Sequence, residues 1–511
     1  MVKYTYLLGA FLLLISCQSQ EQLDETAQSS LPNILFLFTD DQTYHSIQAL
    51  GNEEIRTPNL DRLADMGTTF THAYNMGGWH GAICVASRSM MISGRSIWRA
   101  RAIEKQWNER DSLAMQQTWG QLMSKQGYET YMSGKWHIAV PTDTVFQHLG
   151  TVQKGGMPPD AWTTMSREAR ERMNARFAAG EDFHEIVPIG YARPKNEADQ
   201  TWLPTDTARG GFWTGGQHWS EVLRDDAINF LEEATQKDAP FFMYLAFNAP
   251  HDSRQAPQEF LDLYDVDEVQ LPENWLPEYP FKDQIGCHQL LRDEALAPFP
   301  RTPYAIRKHR QEYYAIISHL DAQIGKILDH LEASGAMENT YIFFSADHGL
   351  SVGQHGLLGK QSLFDHSIRV PMIAVGKEFP KGKQIHTDVY LQDIMATSLD
   401  LARIEQAEYV DFNSLLPLVQ GEQNERETTG VYGAYMDYQR MIRKEDYKLI
   451  LYPEVPKTLL FDLKNDPLER KDLSKEPAQQ ERIASLFKDL QQLQVSMKDT
   501  LDLSPYFPES E

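Results

Sequence analysis

The sequence predicts an α/β fold: a large mixed, mostly parallel β-sheet sandwiched by helices, followed by a smaller carboxy-terminal α+β subdomain. Three observations predict it. Short, nearly continuous apolar runs recur at Asn33 to Thr39, Phe241 to Phe247, Tyr341 to Phe344 and Val370 to Val375, and such runs suit strands covered on both faces. Segments of helical period lie between them, the alternation expected of an α/β sheet. Polar residues follow several of these runs directly: Asp40-Asp41, His251 and Asp347-His348. In open α/β sheets, sites form beyond the carboxyl ends of the strands.

The elements follow in chain order. Val2 to Ile15 is mostly apolar, with Lys3 near its start. It has the length of a signal-peptide hydrophobic region and is too short to span a bilayer. It ends Leu14-Ile15-Ser16-Cys17, which resembles a bacterial lipobox. The resemblance implies a signal peptide over 1–16, lipidation of Cys17 and export to the periplasm or cell surface, with membrane contact only through the lipid anchor. An ordinary cleaved signal with an incidental cysteine is the alternative. Polar residues 17–30 read as a tether. A helix is predicted from Thr57-Pro58-Asn59-Leu60, with Leu60, Leu63 and Ala64 on one face, and a second from about Ile306 to Leu331, with Ile317, Leu320, Ile324, Leu328 and Leu331 at helical spacing. Gly150 to His218 and Asp265 to Pro303 break the pattern and read as long loops that shape a pocket or serve as padding. After about Gly421 the texture changes to short segments, Tyr447 to Leu451 and Thr458 to Leu463, then a helical end with Ile483, Leu486, Leu490 and Leu493. The expected division is a catalytic unit over 31–420 and a subdomain over 421–511, with a small antiparallel sheet and a helix.

Composition bounds the chemistry. The 48 basic and 72 acidic side chains give a net charge of −24, which argues against nucleic-acid binding but not against a small anion held in a local basic pocket. Three cysteines, Cys17, Cys84 and Cys287, are too few for a disulfide scaffold or a four-cysteine zinc site.

The chemistry-bearing residues fall in six places. Cys84-Val85-Ala86-Ser87-Arg88 leads to Gly94-Arg95. Asp40-Asp41 and Asp347-His348-Gly349 end strands. Gly134-Lys135-Trp136-His137 sets a lysine and a histidine two apart. His251 follows a buried run, and Gly359-Lys360 follows Gly353-Gln354-His355-Gly356. Adjacent carboxylates supply the oxygen ligands that hard cations need. Each feature has a bland counterpart, such as a solvated turn or a structural histidine. Together they describe a metal site with two lysines, an arginine and two histidines around a cysteine, which is chemistry on an oxyanion.

This set resembles the type I, formylglycine-dependent sulfatases of the alkaline phosphatase superfamily. Cys84 to Arg88 with Gly94-Arg95 matches their first signature, and Gly127-Tyr128-Glu129-Thr130 through Gly134-Lys135-Trp136-His137 their second. The Asp-Asp pair, the Asp-His-Gly with its later Gly-Lys, and Leu460-Phe461-Asp462-Leu463 with Asp466-Pro467-Leu468-Glu469 follow in order. The resemblance implies an alkaline phosphatase-like fold and oxidation of Cys84 to formylglycine by a maturation enzyme. The aldehyde hydrates to a geminal diol, one hydroxyl of which attacks the sulfur of a sulfate ester while the other allows the sulfate to be expelled. It further implies one calcium ion on Asp40, Asp41, Asp347, His348 and an oxygen of modified Cys84. Arg88 and Lys135 stabilise the diol and metal shell, His137 is the base that expels sulfate, and His251 and Lys360 bind sulfate and protonate the leaving oxygen. Asp347 assists the attacking hydroxyl. Ala86 stands where many relatives carry proline, and His348 where some carry asparagine; an imidazole is a softer ligand than oxygen.

Export and a lipobox imply a sulfated carbohydrate, such as a polysaccharide-derived oligosaccharide, as substrate. Pocket candidates are His45, Trp79, His80, Asp365, His366 and Arg369. Two other functions stay open: a phosphodiesterase or phosphonate monoester hydrolase of the same superfamily, and a catalytically silent glycan-binding lipoprotein.

Overall fold

The computed structural model describes residues 31–153, 167–183, 186, 193–201, 203–207, 212–422 and 429–504. The expected signal peptide, tether and lipid-bearing Cys17 lie outside the described residues. Eight strands form the main sheet: β1 Asn33–Thr39, β2 Thr68–Phe70, β3 Glu129–Lys135, β4 His148–Gln153, β5 Phe241–Ala246, β6 Thr340–Ala346, β7 Met372–Val375 and β8 Lys383–Ile385, in the order β8-β2-β7-β6-β1-β5-β3-β4. Strands β6, β1, β5, β3 and β4 run parallel. β7 pairs antiparallel with both β6 and β2, so the sheet is mixed.

The apolar runs are continuous because alternate residues serve two cores. Leu35 and Leu37 of β1 face one, with Met243, Leu245, Ile342 and Phe344. Ile34, Phe36 and Phe38 face the other, with Phe242, Tyr244 and Phe343. A strand of side-chain period two that is covered on both sides leaves few positions for a polar residue. Helices α1 Pro58–Met66, α4 Trp219–Ala234 and α5 Pro303–Ala333 cover the first face, and α2 Ile83–Ser93 and α3 Ile97–Asn108 pack on the second. The 31 residues of α5 begin at Pro303, with the Thr302 hydroxyl accepting from the backbone N–H of Ala305 at 3.1 Å, a standard cap.

Two expectations change. The Val370 to Val375 run is not one strand: Arg369–Val370 pairs with Ala73 and Tyr74, and Pro371, which has no N–H to donate, separates it from β7. The stretch from Gly150 is not all loop: it contains the end of β4, a helix over Arg167–Ala178 and a two-stranded hairpin at Trp213–His218. In that helix only Met173 is buried, so it has no apolar stripe to read.

The carboxy-terminal part is an antiparallel sheet of β9 Val431–Tyr435, β10 Gln439–Lys444, β11 Tyr447–Tyr452 and β12 Lys457–Asp462, with α6 Gln480–Met497 against it. Ile483, Leu486, Leu490 and Leu493 of α6 are buried, on the predicted stripe. A fifth strand comes from the other end of the chain: Gly77–Gly78 pairs in parallel with Ala434 and Tyr435. A Cβ on Gly77, whose φ is +86°, would lie 2.1 Å from the Ala434 carbonyl oxygen, so only glycine allows this pairing. No helix among the described residues is long and apolar enough to cross a membrane.

Candidate active site

The four neighbouring strands β6, β1, β5 and β3 end together, and each delivers part of one cluster. β1 ends at Asp40-Asp41, β6 at Asp347-His348, β3 at Lys135, and β5 leads into His251. Gly134 makes the β3 contribution possible. Its φ is +96°, and a Cβ there would lie 1.9 Å from the Ala246 carbonyl oxygen. The register of β3 on β4 shifts at this point, turning Lys135 inward.

Cys84 lies in the first turn of α2 and is 2% exposed. Its sulfur is 3.3 Å from Lys360 Nζ and 3.4 Å from His348 Nε2. Burial alone would raise the thiol. Lys135 and Lys360, with hydrogen bonds from His137 and His251, instead pull it well below the usual cysteine value. The position therefore favours a negatively charged atom, the condition a reactive nucleophile needs.

Arg88, one turn along α2, is fully enclosed. Its Nε donates to Asp347 Oδ2 at 3.1 Å and its Nη1 to the Lys135 carbonyl at 2.7 Å, with the Phe38 ring 5.0 Å from the guanidinium. Lys135 Nζ is bonded to Asp40, and Lys360 Nζ donates to Asp41 Oδ1 at 2.7 Å. Asp347 Oδ1 accepts the backbone N–H groups of Asp41 and His348 at 3.1 and 3.0 Å. His348 Nδ1 donates to the Gly349 carbonyl at 3.0 Å, leaving Nε2 to face Asp41 Oδ1 at 3.2 Å.

The cluster could hold a metal ion: its carboxylates suit a hard cation, whereas the His348 nitrogen and the unmodified Cys84 sulfur are softer donors. Ligand atoms of Asp40, Cys84, Asp347 and His348 lie within 4.8 Å of one another. Asp40 Oδ1 is buried with no hydrogen-bond partner. Burial and the Asp40 charge push Asp347 up to about 7. Burial would lower His348, but Asp347 and Asp41 raise it to about 9. Acceptors crowded until they compete for protons are what a divalent ion relieves.

His137 sits at φ +62° with its side chain against Cys84 and its Nδ1 without a hydrogen-bond partner. His251 is buried. Its Nδ1 donates to the Asp252 carbonyl at 2.6 Å and its Nε2 is 3.9 Å from Asp41 Oδ2. The structure thus brings together Asp40, Asp41, Cys84, Arg88, Lys135, His137, His251, Asp347, His348 and Lys360.

The pocket candidates divide. His80, whose Nδ1 accepts the Ala82 N–H at 3.1 Å, lies near Cys84, and half-buried Trp79 meets it edge-on at 5.8 Å. Arg369 is instead spent on the Thr71 carbonyl at 2.7 Å and on the Tyr44 ring, and Asp365 on Lys448. His366 packs against Phe364 and His355 inside the fold. His45 is exposed in a cavity of about 440 Å³ whose described walls include Asn52, Glu54 and Arg310 but not Cys84 or Lys360. Sequence reasoning missed Asn75 and Ser87, which donate to the Asp347 carbonyl at 2.8 and 2.6 Å. Ser87 sits inside the signature; Asn75 gave no signal. It also missed Asp252, Arg292 and Asp293, which surround His251.

A family model described as sulfatase matches residues 32–404, and one described as N-sulphoglucosamine sulphohydrolase, C-terminal, matches residues 353–496. A sulfatase of Formosa agariphila is 27% identical, covering 91% of this chain and 87% of its own. A solved structure in complex with its substrate D-glucosamine-2-N,6-O-disulfate superposes with a TM-score of 0.67 at 20% identity, over 94% of this chain and all of its own. The phosphonate monoester hydrolase of Agrobacterium radiobacter shares the fold with a TM-score of 0.65 at 18% identity, over 91% of this chain and 96% of its own.

Proposed function

The chain belongs to the sulfatase family and hydrolyses sulfate esters, and we propose that it does so through a formylglycine formed at Cys84, on a sulfated carbohydrate. The observation that carries the reading is the convergence of two ammonium groups and three imidazoles on one buried sulfur. A thiol needs no such surroundings to fill space. When formed, a formylglycine supplies, as its hydrate, an oxygen nucleophile at the position of the sulfur. Asp40, Asp41, Asp347 and His348 would hold one calcium ion, whose charge lowers the pKa of that hydroxyl.

The remaining work falls to the chain's own groups. Lys135 and Arg88, paired with Asp40 and Asp347, offset the buried negative charge of the metal shell and stabilise the hydrate at residue 84. Lys360 and His251 bind the sulfate oxygens, and His251 Nε2 delivers the proton that the departing alcohol oxygen needs. His137 removes a proton at residue 84 to release the sulfate. His80 and Trp79 border the entrance to Cys84 and are the substrate contacts we favour. The carbohydrate assignment is supported by the named N-sulphoglucosamine sulphohydrolase segment and by the fold relative that binds a sulfated glucosamine. Export and anchoring through Cys17, which rest on Leu14-Ile15-Ser16-Cys17, and a maturation enzyme acting on Cys84 belong to the same proposal. Cys17→Ala should release the protein from the membrane fraction.

The test is peptide mass spectrometry across Cys84 together with sulfate release from a panel of sulfated mono- and oligosaccharides. An aldehyde-mass peptide and release from at least one sugar are expected. An intact thiol with full hydrolysis would remove the formylglycine. Cleavage of phosphonate monoesters or phosphodiesters with every sulfated sugar refused would transfer the assignment to the phosphonate hydrolase branch.

A further inference from the structure

His251 and Lys360 reach Cys84 from different segments, the turn after β5 and the loop after β6. A third segment joins them. Arg292 Nη2 lies 2.8 Å from His251 Nε2 and 3.3 Å from Asp252 Oδ1. The guanidinium is itself fixed, its Nε and Nη2 both donating to Asp293 Oδ1 at 3.0 and 2.8 Å. The other Asp293 oxygen, Oδ2, accepts from Gln361 Nε2 at 2.5 Å, and Gln361 Oε1 accepts the backbone N–H of Lys360 at 3.0 Å. An unbroken line of polar contacts therefore runs from the His251 ring through Arg292, Asp293 and Gln361 to the Lys360 backbone.

We propose that Arg292 and Asp293 are positioning residues for the leaving-group side of the reaction. They hold the His251 imidazole and the Lys360 segment in fixed relation, so that both meet one ester. The inference rests on His251 being the leaving-group acid. Three features support it. The ring is held at both nitrogens, Nδ1 by the Asp252 carbonyl and Nε2 by Arg292, which removes its rotational freedom before substrate arrives. Asp293 is 2% exposed while the Arg292 side chain is 26% exposed, so the carboxylate is an interior anchor and the guanidinium lies at the entrance. Arg292 occupies the side of Nε2 that an ester oxygen must approach. When the oxygen takes that place, the guanidinium remains on Asp293 and Asp252 beside the ring. In the structure Arg292 donates to Nε2, so His251 acts as acid only after the ester oxygen displaces that contact and the ring takes up a proton from solvent to become the imidazolium. The nucleophile at residue 84 then bonds to sulfur as the S–O bond breaks, its electron pair goes to the alcohol oxygen, and that oxygen takes the proton from Nε2.

General-acid help matters most for poor leaving groups, and that separates positioning from mere support of the fold. The experiment measures kcat/KM for a series of aryl sulfates of graded phenol pKa, with wild type, Arg292→Ala, Arg292→Lys and Asp293→Asn, each checked by its melting temperature. The slope of log kcat/KM against phenol pKa should steepen in Arg292→Ala and Asp293→Asn. Their loss should be at least ~10-fold larger on phenyl sulfate than on 4-nitrophenyl sulfate, and Arg292→Lys should recover part of the slope. A loss of equal size along the series, or none, overturns the proposal. Aryl esters carry no sugar, and the state of residue 84 is read separately by mass. Failure of the carbohydrate or formylglycine assignment is thus distinguishable from failure here.

Discussion

Two buried charge clusters lie on either side of residues 353–369. On one side is the Cys84 cluster. On the other, Lys448 of β11 is enclosed by Asp365 and Glu469, with Glu469 Oε1 at 2.7 Å and the Leu363 carbonyl at 3.3 Å from its Nζ. Glu469 Oε2 accepts the Asp365 N–H at 2.7 Å, and its carbonyl accepts from His355 Nε2 at 3.0 Å. Acidity does not tell the two apart: burial pushes Glu469 up to about 7, as it does Asp347. Hydrogen bonding does. Lys448, Asp365 and Glu469 carry no buried side-chain atom without a hydrogen bond, whereas His137 Nδ1, Asp252 Oδ2, and Asp40 Oδ1 and Arg88 Nη2, which face each other at 4.0 Å, all do. A fully hydrogen-bonded buried cluster suits an architectural role; the open donors and acceptors of the Cys84 cluster suit the ion and ester proposed there.

The sharpest way to break this comparison is at its centre. Cys84→Ala should lower kcat for sulfate release by ~10⁴-fold or more while moving the melting temperature little. Retained turnover with a large loss of stability would reverse the roles of the two clusters. Lys448→Met should do the opposite. Removing one partner of a saturated buried cluster costs ~3–5 kcal/mol, visible as a lower denaturation midpoint, with kcat of the folded fraction reduced far less than in Cys84→Ala. Chelation should separate the clusters again. If the proposed calcium is bound, its removal should lower activity and cost ~2.7 kcal/mol of stability when the ion was at a hundred times its Kd, seen as a lower melting temperature, and added calcium should restore both. A melt indifferent to chelator would argue against the cation.

The smallest effect concerns His355, whose Nδ1 is buried without a partner beside the saturated cluster. Burial depresses it from 6.5 to about 4. Because the folded value lies below the unfolded one, its contribution is intact above pH 6.5 and is lost as pH falls toward 4. At pH 5 the loss should be about 2 kcal/mol, read as the difference in unfolding free energy between pH 7.5 and 5 and reduced in His355→Gln.

Much of this was legible in the sequence, for identifiable reasons. The strands at Asn33, Phe241 and Thr340 are almost continuously apolar because two cores flank them. The cluster residues follow those strands directly and could be read as one site. Asp365 and Arg369 look like site residues because they follow Lys360 closely, but their partners, Lys448 and the Thr71 carbonyl, come from distant segments that no local pattern reveals. Arg292 and Asp293 were invisible for the converse reason. An Arg-Asp pair in an aperiodic stretch reads as a solvated ion pair, and only the fold carries it to His251.

The two glycines at 77 and 78 bear on how such a protein can change over time. They lie only a few residues before Cys84, yet they are the edge strand of a sheet whose other members come from the far end of the chain. The carboxy-terminal subdomain is therefore not a detachable module. A truncation before β9 would strip the backbone partners from the segment that leads into Cys84, and a subdomain transplanted from a relative would have to bring an edge that accepts Gly77 without a side chain.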